Sequence, residues 1–243
     1  MFKYIRFLFI LLILTVLSIF IYKFRRHLPS PEIVIESIIP VPTTMDENNL
    51  PSRHLIKAAF VPQAPEKNWD QPWQDACEES ALLTVHYYYQ EQKPSISTMI
   101  YDYQKIFNLE NDFGWSHDVT LSQMATISAD LWAYRSEIIE TPTILDFKKY
   151  LAKDIPIIIP SSGKTLFKEN THFKSGGPWY HNLVILGYDD NKEQFTVHDV
   201  GTQFGAYFRY SYSTLMDSIH DFPPSLKKED INQGIPRALV LIK

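Results

Sequence analysis

A chain of 243 residues, 45% hydrophobic and 21% charged, is too apolar to stay disordered and long enough for one well-buried domain. Its net charge of −5, with no Lys/Arg cluster outside the N-terminal flanks, offers no basic face to release counterions, so no nucleic-acid partner is expected. A single cysteine, Cys77, rules out an intramolecular disulfide and a cysteine-rich zinc site; without His-x-x-x-His spacing, neither a metal nor a cofactor is expected.

Residues 7–22 (FLFILLILTVLSIFIY) form an uncharged run of 16, preceded by Lys3 and Arg6 and followed by Lys23, Arg25 and Arg26. Sixteen is short of the ~20 that cross a bilayer, but with snorkelling cationic ends residues 2–24 reach that length. No small-x-small cleavage site follows, so an uncleaved signal-anchor is expected over a cleaved signal peptide. Basic residues on both sides leave the orientation open on charge alone. The expectation is a single-pass anchor at 1–26 (helix about 4–24), an extended Pro-rich linker at 27–54, and a domain at 55–243 on the extracytoplasmic side. Residues 32–41 (EIVIESIIPV) could add an edge strand. The oligomeric state is not legible.

Along the domain, residues 77–92 read as a helix with Ala81, Leu82, Val85 and Tyr89 on one side, Asp75 at its N-cap, and Glu78 and Glu79 in its first turn. Residues 97–107, 121–133 and 144–153 read as three more helices, the last capped by Thr143. From Ile155 the pattern changes to short β-branched or aromatic runs at 155–160, 182–188, 194–198, 206–212 and 238–242, parted by Gly, Asp and Asn turns. Helices followed by strands describe an α+β domain.

Cys77 stands where a nucleophile benefits, since free N–H groups at a helix start favour thiolate over thiol. By position alone it could equally be a small core hydrophobe. His181, at the head of a strand after a flexible SGGPWY loop, is the candidate base, although any one of eight histidines is by default structural. Asp199 follows one hairpin later and could orient that imidazole, or merely cap its turn. Glu78 and Glu79 oppose a low thiol pKa, modestly if both point away along the helix surface.

Residues 61–80 (VPQAPEKNWDQPWQDACEES) resemble the entry segment of the bacterial C-39-like peptidases, relatives of the bacteriocin leader-processing peptidases. Residues 177–212 (GPWYHNLVILGYDDNKEQFTVHDVGTQFGAYFRYSY) resemble their His-strand, Gly-Tyr-Asp turn and Gly-x-x-Tyr-x-Tyr series, and residues 215–222 resemble the helix that follows. Together these segments cover about half the domain. The resemblance implies a papain-like fold, with the Cys on a helix and the His and Asp on a facing sheet. It assigns Cys77 as nucleophile, His181 as general base, Asp199 as orienter, and Gln63 as oxyanion donor, with Gln74 as the rival for that last role. Val200 stands where relatives show Pro, which would loosen the turn. His198 should face away from Asp199 and is not the expected base.

The function implied is a thiol peptidase acting on a peptide or protein through an acyl-enzyme. Two other readings remain: a related amidase or transglutaminase-like acyl-transfer enzyme using the same residues, and an idle domain that keeps the fold to bind a partner.

Overall fold

The computed structural model describes residues 50–243; the expected anchor, most of the expected linker and the possible strand at 32–41 lie outside them. Among the described residues no helix is long and apolar enough to cross a membrane.

The fold is α+β. One sheet takes strands β1 (Arg53–Leu55), β2 (Arg135–Glu140), β3 (Ile157–Ser162), β4 (Tyr180–Asp189), β5 (Gln194–His198), β6 (Phe208–Ser211) and β7 (Arg237–Ile242). Its order is β2-β7-β3-β4-β5-β6, with β1 added to β4, and every pairing is antiparallel. Strand β4 is the hub: it pairs β3 through His181↔Ser161, β5 through Val184↔His198, and β1 at Leu55↔Gly187. At Gly187 a Cβ would stand 2.3 Å from the His54 carbonyl oxygen, so only glycine admits β1 there.

The helices are α1 (Cys77–Tyr89), α2 (Ile96–Phe113), α3 (Leu121–Trp132), α4 (Ile144–Leu151), and the short α5 (Gly163–Leu166) and α6 (Tyr212–Ser218). Local chemistry sets their starts. The Ser95 side chain accepts from Thr98 N, while Thr120 with Gln123 and Thr143 with Asp146 form reciprocal capping boxes. Gly114, in the left-handed conformation, ends α2. The Asp75 cap expected for α1 is not made: Ala76 is the N-cap, without a side-chain bond, after a 3-10 turn at Trp73–Asp75. Asp75 is instead held by Gln71 Nε2 (2.6 Å) and Lys228 Nζ (3.4 Å).

Helix α1 also departs from its amphipathic reading. Every residue from Cys77 to Val85 is buried, because the helix packs against β4 on one side and α2 and α3 on others. A helix enclosed all round is a core helix. Its fixed axis sets where Cys77 meets the sheet.

Candidate active site

Cys77, His181, Gln63 and Gln74 line one cavity of about 620 Å³, between the start of α1 and the first residues of β4. Cys77 is the first residue of α1, so its N–H has no intrahelical acceptor. His181 is 1% exposed, and its Nε2 lies 2.9 Å from Asp199 Oδ1, which leaves Nδ1 as its other polar atom. The Asp199 bond reaches from the end of β5 back to β4, as one hairpin allows.

Asp199 is wholly buried and fully engaged. Its Oδ2 accepts from Asn170 Nδ2 at 2.8 Å and from the Tyr210 hydroxyl, and Tyr210 in turn accepts from Asn170 at 3.0 Å. Burial alone would raise its pKa; the facing His181 and the bonds from Tyr210 and Asn170 outweigh that and hold it below the usual value. Nothing local in the sequence marks Asn170, a lone Asn 29 residues from its partner. Tyr210 is one of the tyrosines at 207, 210 and 212 in the segment that resembles the Gly-x-x-Tyr-x-Tyr series, the one signal that could have found it.

The ring of His181 is fixed from two more sides. Phe173 meets it edge-on at 5.4 Å between centroids, and Gly201 lies directly against it. A Cβ on Gly201 would stand 2.6 Å from Cε1. Gly201→Ala is therefore expected to push the imidazole aside and lower kcat/KM by about 10²-fold, as small misplacements of a catalytic group do. An unchanged rate would show that the ring has room to give.

His198 occupies a different environment. It is buried, its Nδ1 accepts from Tyr207 N at 3.1 Å, and its Nε2 donates to Ala58 O at the same distance. Both nitrogens are committed, and burial pushes its pKa down to about 4. It is a neutral brace, as its strand parity suggests.

Gln63 reaches the cavity, but its amide Nε2 donates to Trp73 O (3.0 Å) and Gln74 O (2.8 Å). Both protons are used in holding the segment before Cys77, and none is left to aim at a substrate oxygen. Its backbone N–H bonds Val200 O at 3.0 Å, which ties that segment to the turn where relatives carry Pro. Gln74 lines the same cavity, is exposed, and carries an amide without a hydrogen-bond partner among the described residues.

The acidic first turn differs most from expectation. Glu78 and Glu79 do not lie along the surface; they are 0% and 1% exposed. Glu78 Oε1 accepts from Val119 N at 3.0 Å, and Cys77 Sγ donates to Glu78 Oε2 at 2.8 Å. Asn182 Nδ2 approaches the same sulfur at 3.9 Å. Burial first, and the Glu78 carboxylate next, push the thiol pKa well up, so a thiolate is not the resting form.

Glu79 meets Glu110 of α2. Glu79 Oε2 and Glu110 Oε1 have no other partner, and two carboxyls so placed share one proton. Burial raises both, Glu110 to about 7. In the unfolded chain that proton leaves near 4.5. Between these values the folded state binds more protons, so this pair destabilises the fold as pH rises from about 4.5 to about 7. Glu110→Gln, whose amide donates without needing a proton, should stabilise the domain by about 2–3 kcal/mol at pH ~8 and little at pH ~4.5, read from urea midpoints. An equal effect at both pH values would rule out the shared proton.

The sequence pattern of the Peptidase_C39 like family matches residues 56–220. The chain belongs to that family. It is thereby a cysteine-type peptidase, and its substrates are peptides or proteins. Two solved structures are similar to it. One, described as a C39-like peptidase from Bacillus anthracis, is 14% identical over 79% of this chain and 98% of that one, with a TM-score of 0.49. The other, Xylellain, a cysteine protease from Xylella fastidiosa, is 16% identical over 81% and 88%, with a TM-score of 0.44. No curated protein matches the chain.

Proposed function

We propose that this C39-like peptidase is membrane-anchored and hydrolyses peptide bonds through a Cys77–His181–Asp199 triad on a papain-like scaffold. The observation that carries this is the buried His181–Asp199 bond of 2.9 Å, opening onto the cavity that also holds Cys77. His181 Nδ1 takes the Cys77 proton, and the sulfur attacks the scissile carbonyl carbon. The resulting imidazolium protonates the leaving amine, which departs as a thioester forms. A water, deprotonated by the same nitrogen, then releases the acid and restores the thiol. Asp199 fixes the ring and supports its positive charge.

The oxyanion falls to the Cys77 backbone N–H and to Gln74, whose amide has no hydrogen-bond partner among the described residues, while Gln63 braces the segment that carries both. Gln74→Ala should lower kcat by ~10² with KM nearly unchanged, the signature of a donor serving only the transition state. A larger kcat loss for Gln63→Ala at equal stability would return the role to Gln63.

The cavity rim carries Trp69, Trp179 and Phe204, 40%, 41% and 67% exposed. Such aromatic surface suits an extended peptide with large apolar side chains near the cut. The apolar run at 7–22 supports the anchor, with the linker at 27–54 carrying the domain at 55–243 outside the cytoplasm. A mature N-terminus near His27 would show a removed signal instead.

One observation favours the idle-domain reading: the resting thiol lies 2.8 Å from the Glu78 carboxyl group, and burial holds it protonated. Incubating the protein with a peptidyl thiol-reactive probe, locating the label, and profiling cleavage of a peptide library decides between them. Label on Cys77 with sequence-selective cuts supports the peptidase; binding without label or cuts supports the idle domain.

A further inference from the structure

We propose that Glu78 is a catalytic residue that works uncharged: its Oε2–H donates to the Cys77 thiolate, and loss of that proton switches the nucleophile off. The inference rests on Cys77 being the nucleophile and adds a group that touches the reacting sulfur.

The geometry defines the two oxygens. Oε1 accepts from Val119 N, so it is the carbonyl-like oxygen, and the acid proton belongs on Oε2. Oε2 lies 2.8 Å from Cys77 Sγ. A contact that short needs one hydrogen between the two atoms, and either can supply it. With Glu78 ionised, Sγ–H donates and the thiol is held as a thiol. With Glu78 neutral, Oε2–H donates to sulfur, and the bond strengthens when sulfur becomes negative.

The surroundings favour the neutral form. Glu78 is fully enclosed, and burial followed by nearby Asp118 pushes its pKa well up. Glu79 stands next to it on α1 as part of the carboxyl pair with Glu110 of α2. From β4 comes the Tyr180 phenol, which donates to Val119 O at 2.9 Å, with His181 beside it. Lys228 lies 3.9 Å from Asp118 and 3.4 Å from Asp75, so its charge is directed at those two. No cation contacts Glu78 among the described residues.

The step balances without a further reagent. The Sγ–H bond breaks and its proton moves to His181 Nδ1. Glu78 keeps its own proton and turns it toward the new thiolate. When the S–C bond forms and later breaks, Glu78 neither gains nor loses charge. As pH rises through Glu78's ionisation, a carboxylate replaces the donor, the sulfur recovers its proton, and the His181 imidazolium is no longer generated.

The test is the pH dependence of kcat/KM for the full chain and for Glu78→Gln, Glu78→Ala and Cys77→Ala. The Gln amide donates but does not titrate. Glu78→Gln should therefore be slower than the wild type near pH ~6, yet faster near pH ~9, its alkaline limb moved up by about one unit or more. Glu78→Ala should be slower near pH ~6 by ~10²-fold and should lose that deficit near pH ~9, where the wild type no longer has the donor either. An alkaline limb that coincides in Glu78→Gln and wild type, with Cys77→Ala inactive, overturns the role of Glu78 and leaves the nucleophile standing. Activity surviving in Cys77→Ala overturns both.

If Glu78→Gln fails to fold, infrared difference spectra of the wild type before and after alkylation of Cys77 decide. A protonated carboxyl band that shifts on alkylation at pH ~6 is expected, and its absence defeats the proposal.

Discussion

Cys77→Ala and His181→Ala are each expected to abolish peptide cleavage, leaving at most the residue of rate that binding and oxyanion contacts supply. The two lose different steps. Without the sulfur no thioester forms; without the imidazole the leaving amine is not protonated. In proteases of this logic, removing one member costs about as much as removing all, ~10⁶-fold, so the double variant should be no worse than either single one. Cys77→Ala should melt like the wild type, because Cys77 lies at the start of its helix. His181→Ala also strips the wholly buried Asp199 of its imidazole partner and should lose stability as well as rate. Cleavage that persists in Cys77→Ala would require another nucleophile, and no other cysteine exists in the chain; cleavage that persists in His181→Ala would require another base.

Asp199 should divide the two kinds of effect. Asp199→Asn is expected to keep the fold and part of the activity, since an amide oxygen still accepts from the His181 ring. Its NH₂, however, would turn toward Tyr210 and Asn170, which are themselves donors to Asp199 Oδ2. Asp199→Ala removes the acceptor for all three buried groups. Breaking a buried, hydrogen-bonded charge from one side costs about 3–5 kcal/mol, and the freed imidazole should lower kcat by roughly 10⁴-fold. Urea unfolding with steady-state kinetics separates the two losses. If Asp199→Ala were as stable as the wild type, the network around it would be dispensable.

Much of this was legible before any coordinate. Periodic apolar residues marked α3, the Thr143 hydroxyl marked the start of α4, and turn chemistry marked the β4–β5 hairpin that joins His181 to Asp199. What failed did so for definable reasons. Strand β2 (RSEIIE) alternates weakly, has charged ends and follows α3 with no Gly or Pro between them, so it stayed unread until β7 provided its partner. The burial of Glu78 and Glu79 depends on Val119 N and on Glu110, 41 and 31 residues away, and first-turn carboxylates normally face water. The bonds of the Gln63 amide to Trp73 O and Gln74 O were equally hidden, because those carbonyls belong to a turn whose path the sequence does not reveal. Local chemistry could be read; long-range satisfaction of buried polar groups could not.

The position of β7 has a consequence for synthesis. It is last of the seven strands along the chain, yet it lies inside the sheet, between β2 and β3. While the ribosome is still making residues before 237, β2 and β3 have no β7 to join them, and each presents an open edge of unpaired amides. At roughly 5–20 residues per second this interval is short, but through it the nascent protein is open to mispairing and lacks the backing that holds β3 behind His181. The cavity between α1 and β4 thus gains its full sheet support only after Cys77, His181 and Asp199 have all emerged, near the end of translation of the domain.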